Sequence, residues 1–238
     1  MAKKIDNPKR KVIVVAFGRF NPPSSGHQLL INTVMDIASK QGADHAMFSS
    51  RTGDAKKNPL SAGKKFNWLK KIFPKANFVN ERSILTPVDM LSYLAQTGYT
   101  DVVMVGGEDR ATMYKGFNKF TKPNASFKIP LKSVTFKQAG ERRDPNAKGV
   151  VGMSGSKLRQ AAADNKFKVF SLGLPSTISK MDAKGLFDEV RKGMKLEEEA
   201  EYRAIFQSTA KRIVESNEYL LGEKISGWLS YNWRSNNV

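Results

Sequence analysis

The apolar positions of this chain fall into short unbroken runs that alternate with longer segments of helical periodicity. The runs at 11–16, 45–50 and 101–105, with a shorter one at 76–79, predict strands buried on both faces of a sheet. Between them, apolar residues recur every three or four positions, as on one face of an amphipathic helix. This alternation predicts an α/β fold, a Rossmann-like doubly wound parallel sheet.

Punctuating residues place the ends of the helices. Gly42 follows the first helical segment in the position of a C-terminal cap, and Ser61 stands at the N-cap of the second. Thr86 and Pro87 begin the third, with proline in the first turn, where its missing N–H costs least. The periodicity predicts that the apolar face of this third helix lies in the core, including Met90, Leu91 and Leu94.

Later segments predict a change of architecture. Two strand-like pieces lie between 126 and 139, separated by Pro130, and a charged loop at 140–149 precedes the last strand–helix turn. The loop carries three cations a few residues before this turn: Arg142, Arg143 and Lys148. They could contact a bound substrate, or the loop could simply be solvated. Helices are predicted at 183–193 and 196–221.

The predicted domain organisation follows from these segments. A basic arm at 1–10 precedes a domain at 11–165, and a helical extension occupies 166–238. Aromatic residues near the end of the chain could fold back on the domain or contact another subunit, which leaves a homo-oligomer open: Trp228, Tyr231 and Trp233.

Composition excludes several classes of protein. Among the 238 residues, no apolar run approaches the length of a membrane-spanning helix, so no membrane partner is expected. Cysteine is absent, which excludes disulfides and thiolate metal sites. The arm at 1–10 is basic and has no apolar export segment behind it, so we expect a cytoplasmic protein.

The net charge of +18 indicates phosphate-rich partners without identifying them. Seven lysines between 56 and 75 are compatible with a triphosphate funnel, with a nucleic-acid surface or with an ordinary solvated helix face. Nucleic acid therefore stays an open partner. The lysines are Lys56, Lys57, Lys64, Lys65, Lys70, Lys71 and Lys75.

Residues 14–27, VVAFGRFNPPSSGH, form the first candidate phosphate site. A buried strand ends at Gly18, two prolines stiffen the loop, and a helix opens at Gly26 and His27. Free backbone N–H groups and a helix N-terminus then point into one hollow, which suits an anion such as phosphate.

Residues 153–159, MSGSKLR, repeat this arrangement before a helix predicted at 158–164. Small and hydroxyl residues precede the helix, and Lys157 and Arg159 place positive charge in its first turn. Cations oppose the helix dipole there, so they suit an anion better than they suit helix stability.

Together these two segments resemble the nucleotidyltransferases of the cytidylyltransferase-like superfamily, and the GRF opening is most similar to the nicotinamide mononucleotide adenylyltransferase branch. That family has GxFxPxHxGH or a TxGH form after its first strand and an SxTxxR-like segment opening a later helix. Here the segments read GRFNPPSSGH and MSGSKLR. One position departs from the pattern, because Ser24 stands where the family has His or Thr.

The turn after the strand at 101–105, GGEDR, fits the resemblance more loosely. Family members have a glycine and an aspartate near the nucleotide at this place, which implies a role for Gly106 and Asp109. In open α/β sheets, ligands bind beyond the carboxyl ends of the strands, so this turn should lie on the same edge as Gly18.

The resemblance implies a reaction and a set of residues. A nucleoside monophosphate would pass from ATP or CTP to a phosphate-bearing small molecule, pyrophosphate would leave, and Mg²⁺ would bridge the phosphates. His27, Ser24 and Arg159 would be catalytic, with Ser154, Ser156 and Arg159 on the β- and γ-phosphates. The implied nucleotide-binding residues are Gly18, Arg19, Phe20, Asn21, Gly26, His27, Gly106, Asp109, Ser154, Ser156 and Arg159.

Two alternatives remain beside this function. An enzyme similar to the aminoacyl-tRNA synthetases would carry related signatures, and MSGSK loosely matches their lysine loop. A non-catalytic protein that kept the fold and binds nucleotide or nucleic acid would explain Ser24 and the charge. The other histidine, His45, lies within a predicted strand and is expected to be structural.

Overall fold

The computed structural model describes residues 10–122, 128–140, 153–196, 205, 207–209 and 211. The chain divides into two compact units, Met1–Met194 and Lys195–Val238, and the first contains every strand described below. Several predictions fall outside the described residues: the loop cations Arg142, Arg143 and Lys148, nearly all of the helix at 196–221, and the aromatic residues Trp228, Tyr231 and Trp233.

Five parallel strands form one sheet in the order β3–β2–β1–β4–β5. The order reverses between β1 and β4, as in doubly wound folds, so the α/β Rossmann-like prediction is confirmed. The strands are β1 Val12–Gly18, β2 Asp44–Ser49, β3 Phe78–Val79, β4 Asp101–Gly106 and β5 Ser133–Gln138.

Seven α-helices accompany the sheet in the described part of this unit. One 3₁₀ turn precedes the fourth helix and another follows it. The 3₁₀ turns are Glu108–Arg110 and Phe117–Thr121. The helices are α1 Ser25–Gln41, α2 Ala62–Ile72, α3 Pro87–Gln96, α4 Ala111–Gly116, α5 Gly155–Ala163, α6 Phe167–Leu172 and α7 Lys180–Gly193.

The predicted caps are confirmed by their geometry. Gly42 is left-handed at φ 57° and its N–H bonds the carbonyl oxygens at the end of α1. The Ser61 hydroxyl accepts from the backbone N–H of Lys64, and the Thr86 hydroxyl accepts from that of Asp89. Each such cap contributes about 1 kcal/mol to helix stability.

Alternate strand residues feed two separate cores, one on each face of the sheet. Val14 and Met47 pack on one face with α1, α2, α5 and α7, whereas Val15 and Phe48 pack on the other with α3 and α4. The two-sided core explains why the strands are apolar without interruption. The predicted core residues of α3 are buried: Met90, Leu91 and Leu94.

Only one of the two strands predicted between 126 and 139 lies in the described residues. Residues 128–130 are not in a strand, because Leu131 N–H bonds the Ile129 carbonyl in a tight turn at Pro130. Proline has no N–H for a sheet ladder, so the chain joins the sheet only at β5. Residues 126–127 fall outside the described residues.

The helices α6 and α7 pack on the core of the first unit. Phe170 and Phe187 contact each other there, with ring centroids 5.1 Å apart. At the end of α7, a Cβ on Gly193 would stand 2.0 Å from the Pro59 carbonyl oxygen, so only glycine permits this approach. This contact fixes the loop 51–60 against α7. The domain division predicted at residue 165 stays a prediction.

Candidate functional site

A cavity of about 240 Å³ lies at the carboxyl ends of β1 and β4, where the strand order reverses. Ligands of open α/β folds bind at this position, since loops on both sides diverge there and leave a crevice. Its walls are Phe17, Gly18, Arg19, Phe20, Asn21, His27, Leu30, Gly106, Gly107, Asp109, Arg110, Tyr114, Ser154, Gly155, Ser156 and Arg159.

The loop after β1 forms the first wall and is held by a buried phenylalanine. Phe20 adopts φ 48°, an uncommon backbone conformation for a non-glycine residue, and its side chain is fully buried. Its ring lies 4.9 Å from the His27 ring and would stand 2.9 Å from a Cβ on Gly18. The glycine therefore makes room for the ring that supports His27.

His27 lies half-buried in the first turn of α1 with a fixed ring orientation. The backbone N–H of Ser24 donates to its Nδ1 at 3.0 Å. A nitrogen that accepts this bond carries no proton, so the neutral ring carries its proton on Nε2. The local backbone therefore selects the tautomer with a donor at Nε2.

Ser24 lies behind His27 and is absent from the cavity walls. Its residue is 1% exposed, and its hydroxyl lies 3.0 Å from His27 Nδ1. The catalytic role that the resemblance implies for Ser24 would be direct if this hydroxyl met a phosphate. The structure instead places it where it can orient the imidazole, because the turn into α1 directs it toward the helix.

Asn21 uses its side chain to hold two loops together. Its amide donates to the Leu60 carbonyl at 2.8 Å and accepts from the Leu60 N–H at 3.0 Å. The residue is 1% exposed, so its amide side chain is enclosed between the two loops. Its main-chain carbonyl accepts a hydrogen bond from Arg159. Asn21 thus shapes the cavity wall through its backbone.

The start of α5 forms the second wall and contacts the first directly. Arg159 Nη1 donates to the Asn21 carbonyl at 2.6 Å, and Nη2 donates to the Ser156 hydroxyl at 2.9 Å. The Ser154 hydroxyl caps α5, accepting from the backbone N–H of Lys157 at 3.3 Å. Two helix N-termini therefore meet at one cavity.

The turn after β4 forms the third wall. The Tyr114 hydroxyl donates to the Phe17 carbonyl at 3.1 Å, and burial raises the pKa of this phenol. A Cβ on Gly106 would stand 3.0 Å from the Tyr114 ring, so glycine lets α4 approach the strand. Asp109 and Arg110 form an exposed ion pair at 3.2 Å on the rim.

The cavity carries more positive than negative charge. Three arginines line it against one carboxylate, Asp109. Burial lowers the pKa of Arg159, and the nearby charge of Arg19 lowers it further, while Asp54 opposes this effect. Two guanidinium groups that repel each other across a cavity are stabilised by an anion between them.

Ten of the twelve predicted site residues line this cavity, and Ser24 and Gly26 do not. Sequence reasoning placed six wall residues outside the predicted site. Gly155 lies inside the segment MSGSKLR, so its motif was the available signal, and Leu30 and Tyr114 gave only a core-like periodicity. The six are Phe17, Leu30, Gly107, Arg110, Tyr114 and Gly155.

The lysines between 56 and 75 serve several structural purposes. Lys64 pairs with Glu189 at 2.7 Å, and Lys71 pairs with Asp182 at 2.5 Å, both on α7. Lys65 is 1% exposed and donates to the Ser50 carbonyl; burial, with the charge of Arg51, lowers its pKa to about 8. Much of this charge is thus neutralised or buried inside the fold.

The described residues hold neither a preformed metal centre nor a membrane-spanning helix. No group of three or more His, Asp or Glu side chains in the described ranges is arranged to hold a metal ion. Within the same ranges, every helix is too short or too polar to cross a bilayer.

Comparisons with known proteins give structural neighbours only. No protein-family model and no curated protein matches this sequence. Solved structures of other proteins are similar to it at low sequence identity. A candidate nicotinate-nucleotide adenylyltransferase from Vibrio parahaemolyticus is 17% identical with a TM-score of 0.46, covering 74% of this chain and 98% of its own.

The other two neighbours are longer than this chain. A bifunctional NMN adenylyltransferase/ADP ribose pyrophosphatase from Francisella tularensis is 13% identical with a TM-score of 0.51, covering 83% of this chain and 57% of its own. Thermotoga maritima TmcAL bound with alpha-thio ATP is 11% identical with a TM-score of 0.42, covering 78% of this chain and 56% of its own.

The sheet order defines a Rossmann-like α/β protein, and its cavity lies at the point where the strand order reverses. Within that class, the chain shares its fold with the bifunctional NMN adenylyltransferase/ADP ribose pyrophosphatase from Francisella tularensis.

Proposed function

We propose that this chain is a nucleotidyltransferase that transfers a nucleoside monophosphate from ATP or CTP to a phosphate-bearing small molecule. One observation carries the proposal. The N-termini of α1 and α5 meet at a single cavity that also holds Arg19, His27 and Arg159. Two helix dipoles with their positive ends beside one space, together with cationic and hydrogen-bonding side chains, suit a triphosphate.

The proposed reaction is a single displacement at phosphorus. An oxygen of the acceptor phosphate attacks the α-phosphorus, a new phosphoanhydride forms, and the bond to the β-phosphate oxygen breaks, releasing pyrophosphate. The attacking phosphate is already ionised, so the step needs positioning and charge neutralisation more than a base. That requirement fits a site of donors and cations with a single carboxylate.

Each residue has a proposed task in this step. The His27 Nε2–H donates to the α-phosphate, and its charge-assisted bond strengthens as negative charge grows. Arg159, with Ser154 and Ser156 at the start of α5, holds the β- and γ-phosphates that leave. Arg19 neutralises charge from the loop after β1.

Mg²⁺ is proposed as the metal partner of the triphosphate. This ion is usually held by one or two carboxylates together with substrate phosphates and water, and Asp109 is the carboxylate on the cavity wall. Its chemistry would be to offset charge on the phosphates. The donor set fits such weak protein ligation, because a single exposed carboxylate suffices for it.

Nicotinamide mononucleotide is the first acceptor to test. The GRF opening supports this choice, and the Francisella neighbour is named as an NMN adenylyltransferase. Phosphopantetheine and glycerol phosphate are the next two acceptors to test. ATP is the first nucleotide donor to test, and CTP is the second.

The experiment combines the protein with Mg²⁺, one α-labelled triphosphate and one acceptor at a time, and measures pyrophosphate and labelled product. We expect both products in equal amounts with one pairing. Pyrophosphate without labelled product would indicate hydrolysis, and absence of both across the panel would leave a non-catalytic nucleotide-binding protein.

The two histidines of the chain provide a matched control. His27→Gln should lose activity, whereas His45→Gln should keep it, because His45 lies on β2 about 13 Å along the strand from the edge that carries the cavity. Equal loss in both variants would contradict the assignment of His27.

A further inference from the structure

A second concentration of positive charge lies beside the cavity, in a part of the chain to which the proposed reaction gives no task. Between positions 110 and 140 the sequence carries seven Lys and Arg residues and no Asp or Glu. All seven side chains are exposed. They are Arg110, Lys115, Lys119, Lys122, Lys128, Lys132 and Lys137.

Three of these lysines follow one another from α4 through the 3₁₀ turn Phe117–Thr121 to the residue after it. The chain stays in helical conformation through Gly116 and Phe117, so α4 runs directly into the 3₁₀ turn Phe117–Thr121. We name Lys115, Lys119 and Lys122 the basic ridge: Lys115 lies on α4, Lys119 lies on the 3₁₀ turn, and Lys122 follows that turn with extended backbone. Among the described residues, none of the three pairs with a carboxylate.

The ridge differs in this respect from the lysines of α2. Lys64 and Lys71 have carboxylate partners on α7, whereas the segment 110–140 has no carboxylate of its own. Mutual repulsion of unpaired lysines opposes folding, so a surface that keeps three of them is typical of one that meets a polyanion.

Three aromatic rings come from the same segment as the ridge. Tyr114 and Phe117 are stacked with ring centroids 5.8 Å apart, and Phe117 and Phe120 are stacked at 6.1 Å. We name these three rings the aromatic ladder. Phe117 and Phe120 are half-buried, so the ladder borders the surface, and Lys119 Nζ lies 5.0 Å from the Phe120 ring centroid. Basic and aromatic side chains in one strip are typical of surfaces for single-stranded nucleic acid.

The strip begins at the cavity itself. Arg110 and Tyr114 line the cavity, and the ridge continues from them along the same helical segment. Lysines on an edge strand also prevent sheet-to-sheet pairing, so Lys132 and Lys137 near and on β5 carry no weight here. The basic ridge and the aromatic ladder are therefore the two features that indicate a ligand.

We propose that the basic ridge of Lys115, Lys119 and Lys122, with the bordering aromatic ladder, binds single-stranded nucleic acid beside the nucleotide cavity. Phosphates contact the lysines, and bases stack at the half-buried rings Phe117 and Phe120, because Tyr114 is buried in the core and only supports them. This binding goes beyond the proposed transfer reaction and does not depend on it.

The test measures anisotropy of a labelled twelve-nucleotide oligothymidylate against salt concentration, with the full chain. The ridge variant carries Lys115→Gln, Lys119→Gln and Lys122→Gln. The matched control carries Lys40→Gln, Lys75→Gln and Lys180→Gln, three exposed lysines elsewhere, so both variants lose the same net charge. We expect the ridge variant to bind roughly ten- to a hundredfold more weakly and the control to stay within about twofold of wild type.

The slope of log affinity against log salt should also fall by about two in the ridge variant, as for three lost phosphate contacts. Several outcomes overturn the proposal: no saturable binding by wild type at about 50 mM salt, equal weakening in both variants, or equally tight binding of duplex. Binding of phosphatidylserine vesicles that the ridge variant alone loses would assign the ridge to a membrane instead. Transfer to small acceptors should be unchanged in the ridge variant, so the two proposals fail separately.

Discussion

The two helix starts that meet at the cavity are built differently. At α1, Ser24 and Asn21 are both 1% exposed, and their polar groups bond His27 and Leu60. At α5, Ser154 is half-buried and Ser156 borders the cavity, with Arg159 reaching across to the other loop. The first start is embedded in the core, and the second lies at the surface.

This difference separates two tasks that one sequence pattern would treat alike. At the start of α1 itself, side chains hold the backbone and a single ring in place, so among its side chains that line the cavity His27 is the one polar donor. Around α5, hydroxyl and guanidinium groups remain near the cavity and can adjust to it. We therefore expect that α1 substitutions outside His27 act through structure, while α5 substitutions act on the ligand.

The largest expected effect tests the one ligand-facing side chain of α1. His27→Ala removes the Nε2 donor, and we expect kcat/KM for nucleotidyl transfer to fall by roughly a hundredfold or more, about 2.7 kcal/mol. Steady-state kinetics and a thermal melt check this together. A melt close to that of wild type with full activity would remove His27 from the mechanism.

Arg159 tests the α5 side with a graded pair of substitutions. Arg159→Ala should lower kcat/KM by about a hundredfold, and Arg159→Lys by about tenfold, because lysine keeps the charge but lacks the planar guanidinium whose two nitrogens reach Asn21 and Ser156 separately. Identical kinetics for the two variants would indicate that the two-nitrogen geometry of the guanidinium does not contribute to transfer.

Lys65 is a buried cation, and it tests how far the stability of the folded protein depends on a charge in its interior. The pKa of Lys65 is lowered to about 8 in the fold from an ordinary 10.5, so between these values the unfolded chain binds more protons. Stability from this group therefore rises with pH in that window. From about pH 7 to about pH 9, wild type should gain about 1.4 kcal/mol of unfolding free energy relative to Lys65→Met.

Urea unfolding of both proteins at several pH values measures this difference. Parallel stability curves would show that Lys65 titrates as an exposed lysine. Lys64→Met is the control on the same helix, since the Lys64 side chain is 52% exposed.

The smallest expected effect concerns Ser24. Ser24→Ala removes the hydroxyl near His27 Nδ1 but leaves the backbone N–H that donates to it, so kcat/KM should fall only about three- to tenfold. Ser24→Thr should be nearly silent if the buried site accepts the extra methyl. A hundredfold loss in Ser24→Ala would instead indicate a hydroxyl that meets phosphate directly.

Sequence patterns were sufficient for the architecture because each signal was local. Unbroken apolar runs marked β1, β2 and β4, and Ser61, Thr86 and Gly42 marked helix ends by capping chemistry that acts within a few residues. The strand expected near 126–129 rested on residue preference alone, and the turn at Pro130 excludes a strand from 128–130.

The site was predictable where a motif ran along the chain and unpredictable where a contact joined distant residues. The segments GRFNPPSSGH and MSGSKLR located both helix starts, but the direction of the Ser24 hydroxyl depends on its turn geometry. The acidic partners of Lys64 and Lys71 come from α7, more than 100 positions away, so the charge count could not show that these lysines are paired.

The bond from Arg159 to the Asn21 carbonyl spans 138 positions and bears on how the protein is made. While the chain leaves the ribosome, β1 and α1 emerge long before α5, and Gly193 arrives later still to seat against Pro59. A nascent chain interrupted before α5 has its first loop and His27 but lacks an opposing wall. Under the proposed function, competence to hold a nucleotide is therefore acquired only near the end of synthesis of this unit.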